Sequence, residues 1–210
     1  CFSIVLTPET HDRSFAMTSS FSNMYIAALL ALGGCDAAEL EAAVGAAEGF
    51  IGEDFRALRE FADGEDFDRI VYLGSDVLKG IAQESALKVL ELTAGKAVAL
   101  FDTPMGFRHG PKSVVDDGTV CVVFLSDNPS TRRYEMDVLK ELYRDKKGSR
   151  LVAVTTAAAG KDNPQQYCDL LITMETGEDL NANGVLAPAY VTAAQALAMM
   201  YSLRLGITPD

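Results

Sequence analysis

The sequence predicts an α/β fold in which a parallel sheet is covered by helices on both faces. From Asp68 onward, short apolar runs alternate with longer helical segments, the order that builds strand-helix-strand units. Those runs are apolar throughout instead of alternating with polar residues, as strands buried on both faces are. With 49% of the 210 residues hydrophobic, there is also enough apolar surface for a substantial core.

The elements follow in order. "FSIVLT" reads as an opening strand, and "PETHDRSFAMTSSFSNMYIAALLALGG" as a polar turn and then a helix, capped by Thr18 or Ser19 and stopped at Gly33-Gly34. "DAAELEAAVGAAEGF" and "EDFRALREFADG" are short amphipathic helices with acids near their starts, where the helix dipole favours them. "RIVYLGS" is a buried strand, and "LKGIAQESALKVLELTAGK" a helix ending at Gly95. "AVALFDT" and "TVCVVFLS" are strands on either side of a connection, "MGFRHGPKSVVDDG". Helix "TRRYEMDVLKELYRDKKG", strand "RLVAVTT", a loop with a short helix, strand "LLITMET" and helix "APAYVTAAQALAMMYSLRLG" complete the pattern. The first residue is Cys1 and the opening strand lacks preceding context, so the chain reads as a fragment of a longer protein.

Charge and cysteines narrow the function classes. Thirty acids against 18 Lys plus Arg give a net charge of -12, which argues against a nucleic-acid or anionic-membrane partner. The four cysteines form no C-x-x-C pair; Cys35 and Cys121 lie in apolar surroundings where a small buried hydrophobe is expected, which suits a reducing cytoplasm. No basic and then apolar leader opens the chain, and no uninterrupted apolar run reaches the roughly 18 residues a bilayer requires. Two histidines without a paired cysteine or an H-E-x-x-H spacing argue against a zinc centre.

Two constellations carry chemistry. At about 100° per residue, Glu84, Lys88 and Glu91 fall within about 60° of one another on one helix, while Leu87, Leu90 and Ala94 take another arc and are the expected core contacts. Spacing alone reads this stripe first as a solvated face with a favourable Glu-to-Lys pair. The sharper reading is a general base flanked by an ammonium, the pair that enolisation beside a carbonyl needs. His109 has an ordinary loop reading and a functional one, a proton shuttle at neutral pH. Gly110-Pro111 and Asp116-Asp117-Gly118 turn the chain on either side of it, and Arg108 and Lys112 offer positive charge to an anion. "LGSDVLKG" lacks both G-x-G-x-x-G and the P-loop lysine pattern, which disfavours a dinucleotide site. In "MTSSFSN", Thr18, Ser19 and Ser20 stand at a helix N-terminus, equally suited to phosphate or sugar hydroxyls and to plain capping.

Taken together, "RIVYLGS", "ESALKVLELTAGK", "FRHGPKSVVDD" and "THDRSFAMTSS" resemble the sugar isomerase (SIS) family, in its branch of tagatose-6-phosphate ketose/aldose isomerases and galactosamine-6-phosphate deaminases. The resemblance runs from "LTPETHDRSFAMTSS" to "LGITPD". It implies a three-layer α/β/α domain with a five-stranded parallel, flavodoxin-like sheet over residues 66-210. Residues 1-50 would then be the last strand and helices of a first such domain, and 51-65 a linker helix region. It also implies that Glu91 is the general base, Lys88 its charge balance and Glu84 the upstream glutamate, with His109 of the "HGP" motif opening the sugar ring from a neighbouring subunit. The substrate would be a phosphorylated sugar, with no cofactor and no metal, and the assembly a homodimer or higher homo-oligomer. A phosphosugar-sensing domain without catalysis is the rival reading. Two departures stand out. The phosphate-gripping loop of the family would lie ahead of Cys1, leaving the chain by itself without that grip, and Asp76-Val77 replace the usual glycines.

Overall fold

A computed structural model describes residues 3–156, 162–176 and 183–208. Residues 3–7 form no strand; an isolated extended segment has no neighbour to accept its ladder hydrogen bonds, and the expected opening strand is absent among the described residues. A short 3-10 turn, Pro8–Thr10, leads to helix α1 (Ser19–Ala31). Gly33 at φ 70° ends that helix, its N–H bonding to Leu30 while the Gly34 N–H reaches back to Leu29.

Helix α2 (Ala37–Gly49) opens with a reciprocal cap: Asp36 accepts from the Glu39 N–H and Glu39 from the Asp36 N–H, both at 2.9 Å. One π-helical turn, Phe50–Asp54, joins it directly to α3 (Phe55–Gly64). The expected linker region 51-65 is thus that turn and α3, and Leu58 and Ala62 lie in the main core.

The sheet comprises β1 (Arg69–Leu73), β2 (Val98–Asp102), β3 (Thr119–Phe124), β4 (Arg150–Thr156) and β5 (Leu170–Met174). All neighbours are parallel, in the order β2-β1-β3-β4-β5, the flavodoxin-like order. Between the strands run α4 (Val77–Leu92), α5 (Pro104–Arg108) and α6 (Pro129–Arg144), and α7 (Asn183–Arg204) closes the fold. The loop after β4 lies partly outside the described residues; its described end holds the expected short helix as a 3-10 turn, Pro164–Tyr167.

Two cores flank the sheet. On one face α4 and α7 pack with α2 and α3 around Ile70, Tyr72, Phe124 and Tyr190. On the other, α5 and α6 pack around Val71, Leu73, Cys121 and Leu139. Cys121 and Cys168 are buried as small hydrophobes, whereas Cys35 is only half-buried against the first core. Among the described residues one helix, α7, is long and apolar enough to cross a membrane by length and composition, and 78% of its apolar window is buried inside the fold.

Candidate functional site

Helix α4 begins in a tight turn after β1. A Cβ on Gly74 would stand 2.3 Å from the Leu78 carbonyl oxygen, so only glycine fits. Asp76 then takes φ 49° and ψ -122°, a conformation that favours glycine and costs on the order of 1–3 kcal/mol for other residues. The strand end thus bends through an aspartate in a conformation that glycine would adopt without strain.

Three side chains of α4 come together. The Lys88 ammonium lies 2.6 Å from Glu91 Oε2 and 3.3 Å from Glu84 Oε1, and Lys88 is only 2% exposed. The Glu84 contact is an ion pair without hydrogen-bond geometry. Burial raises the Glu84 carboxyl above its ordinary value; Lys88 pulls it back down, and the nearby charge of Glu91 adds to the rise. The solvated-face reading of the stripe therefore fails. So does the expected core arc: Leu87 and Leu90 are 44% and 40% exposed, and Ala94 faces solvent. Seven other residues, including Leu78, Ala82, Ala86 and Val89, make the buried seam instead. With Gln83 and Glu84, Phe21 of α1 and Phe101 of β2, Leu87 and Leu90 line an open groove of about 400 Å³.

His109 sits at the C-terminal end of a helix that the connection was not expected to contain. Thr103 caps α5 by accepting from the Gly106 N–H at 3.0 Å, and six residues later His109 ends it. The imidazole is exposed beside a cleft of about 360 Å³ between this connector and the end of α6. Arg108 pairs with Glu141 at 2.8 Å, and Lys112 is shared by Glu141 and by Asp145 at 3.0 Å. The local cations are therefore largely compensated. Those carboxylates hold the Lys112 ammonium above its usual range, chiefly through the hydrogen bond to Glu141.

Within one chain the two constellations do not meet. Residues of α4 belong to the core shared with α7, whereas Phe107 and Val115, flanking His109, belong to the core shared with α6 across the sheet.

At the N-terminus of α1 the donors are already engaged. Asp12 accepts from the Ser19 N–H at 3.0 Å, the Ser20 N–H at 2.7 Å and the Thr18 hydroxyl at 3.1 Å. Those bonds outweigh desolvation and lower the Asp12 carboxyl to about 2. The chain thus satisfies these donors with its own carboxylate at the positive end of the helix.

Sequence reasoning missed a second polar cluster, at the C-terminal ends of β3 and β4. Glu135 is fully buried and accepts from the Ser126 N–H at 2.7 Å; burial raises its carboxyl despite Ser126, Ser75 and Arg132, which lower it. Arg132 makes a two-pronged pair with Asp162 at 2.8 and 3.1 Å and donates to the Thr155 hydroxyl at 2.9 Å. The signal was available: Arg132 and Glu135 occupy the spacing of Met136, Leu139 and Leu142, so charge stands on the core face of α6.

Comparison with known proteins gives concordant matches. The family model described as "SIS domain" matches residues 65–202. The D-galactosamine-6-phosphate deaminase AgaS of Escherichia coli O157:H7 is 40% identical over 229 residues, covering 100% of this chain and 54% of that protein. Its counterpart in Shewanella sp. (strain ANA-3) is 39% identical, covering 100% and 50%. The crystal structure of tagatose-6-phosphate ketose/aldose isomerase from Escherichia coli superposes with a TM-score of 0.87 at 39% identity, covering 100% of this chain and 56% of that one. The chain spans about half the length of the curated relatives it matches.

Proposed function

The chain belongs to the SIS domain family, and from that premise we propose that it carries the proton-transfer machinery of a phosphosugar aldose-ketose isomerase or deaminase acting on a hexose 6-phosphate. The observation that carries this reading is the Lys88 ammonium, buried between the half-buried carboxylates of Glu84 and Glu91. Burying that charge is costly, and a structural role would be served as well by apolar residues of similar size. A pure phosphosugar sensor has no need of a base beside an ammonium.

In this reading Glu91 removes the C2 proton of the opened sugar and delivers it to C1, through an enediol or, for an amino sugar, an enolamine. Lys88 holds the negative charge that develops on the oxygen, and Glu84 holds Lys88 in place. For an amino sugar the product is an imine, and addition of water releases ammonia and leaves the ketose. His109 moves the ring-opening proton. Because it lies across the sheet from α4, it serves the groove of a second copy, and Arg108 accompanies it there. Asp12 already holds the backbone donors at α1, so Thr18, Ser19 and Ser20 would serve sugar hydroxyls and leave the phosphate to other groups.

The test is Glu91→Gln in the full-length protein with galactosamine 6-phosphate in heavy water. Exchange of the C2 proton is expected to fall at least 100-fold, the order of a lost general base. Undiminished exchange removes Glu91 as the base, and binding without ammonia release in the intact wild type would favour the sensor.

A further inference from the structure

The His109 imidazole makes no hydrogen bond of its own among the described residues. A histidine that moves protons is ordinarily aimed by a bond at its second ring nitrogen, so here the aim must come from the connector that carries it. That connector is loosely bonded along its backbone. The His109 N–H reaches the Gly106 carbonyl at 3.3 Å and the Gly110 N–H the Phe107 carbonyl at 3.5 Å, against an ordinary length of about 2.9 Å. A helix as short as α5 does not hold itself either. What fixes the connector is α6. Phe107 is buried in the core that holds Leu139 and Leu142, and between those two leucines in sequence stands Glu141. Its Oε2 lies 2.8 Å from Arg108, the residue before His109, and its Oε1 accepts from Lys112, three residues after it. One carboxylate, only 12% exposed, therefore grips the chain on both sides of the imidazole. Asp145 meets Lys112 at 3.0 Å and so holds one side alone. The hydrogen bond from Lys112 lowers the Glu141 carboxyl below its ordinary value, which keeps the grip charged at neutral pH. Partly exposed ion pairs add little to stability, so the arrangement is better explained by what it fixes in place.

We propose that Glu141 is a positioning residue for His109: by bridging Arg108 and Lys112 it holds the connector so that the imidazole stands where it moves the ring-opening proton. The inference rests on the catalytic reading of His109 and adds to it the group that aims the ring.

The test is a double-mutant cycle in the full-length protein, read by ammonia release from galactosamine 6-phosphate. His109→Ala sets the reference and is expected to lower kcat about 100-fold. Glu141→Gln keeps the size of the side chain and removes its charge; it should lower kcat about tenfold at nearly unchanged KM, the effect of a reacting group slightly misplaced. Added to His109→Ala, it should lower kcat no further, because a group that acts only through the imidazole then has nothing to act on. Lys112→Met breaks the same bridge from its other end. It should show the same loss and the same silence beside His109→Ala, and it decides if Glu141→Gln does not fold. Asp137→Asn removes an exposed charge from the same helix and should match the wild type. Wild-type kcat in Glu141→Gln, a further tenfold loss in the double variant, or an equal loss in Asp137→Asn overturns the proposal and leaves the role of His109 standing. Failure of both bridge variants to fold would mark the bridge as structural and overturn it too. Wild-type turnover in His109→Ala removes the catalytic reading and the proposal with it.

Discussion

Lys88, held between two carboxylates with almost no solvent contact, is the residue on which the α4 site turns. Lys88→Met would leave Glu84 and Glu91 facing each other unneutralised. It should cost about 3 kcal/mol in urea unfolding, whereas removing all three charges together should recover most of that loss. Glu135 supplies a pH dependence. Its folded carboxyl is raised above the ordinary 4.5, so the native chain holds the proton more tightly than the unfolded one. Its contribution is therefore fully present below about pH 4.5 and declines as pH rises through the raised value. Glu135→Gln should be more stable than the parent at about pH 8, with the gap closing near pH 4, as read by urea unfolding at each pH. An unchanged slope would mean that the folded Glu135 carboxyl is not raised above its unfolded value. Glu84 works in the same direction, and Asp12 in the opposite one: its bonds stabilise above about 4 and are lost as pH falls toward about 2.

At the scale of elements, the turn between β1 and α4 positions the triad. Gly74→Ala should destabilise the fold by about 2 kcal/mol or more, because the added methyl meets the backbone of Leu78, which cannot move aside without displacing the helix. A full yield of folded protein with unchanged urea midpoint would contradict that. The same helix shows the limit of periodicity. A 3.6-residue repeat separated the polar stripe from Leu87 and Leu90 correctly, but it could not say which arc faces inward. The small residues Ala82, Ser85 and Ala86 took the seam because they let α4 lie close against α7 and the sheet. Likewise α5 was invisible in advance, since five residues are too few for a pattern and its stability comes from the Thr103 cap and the burial of Phe107.

For the whole molecule, His109 and the α4 triad are carried on opposite faces of one sheet, which supports the proposal that two copies share a site if both act on one substrate. Mixing Glu91→Gln with His109→Ala protein should restore about a quarter of wild-type deaminase or isomerase activity, since half of randomly paired dimers are mixed and each holds one intact site. No recovery would argue for sites built within one copy. Val98 and Phe101 on edge strand β2, beside Leu87 and Leu90, form an exposed apolar surface of the kind that partners cover. The sequence by itself determined the α/β class, the five strands of the sheet though not the segment before Pro8, most helix ends and the residues able to do proton chemistry, because those depend on local periodicity, capping and residue type. Only the tertiary structure decided that Lys88 is buried between its two carboxylates, that Asp12 takes the donors at the start of α1 and that the connector of His109 packs on the opposite face of the sheet from α4. Each of those depends on which surfaces pack across the sheet, and packing joins residues far apart in sequence.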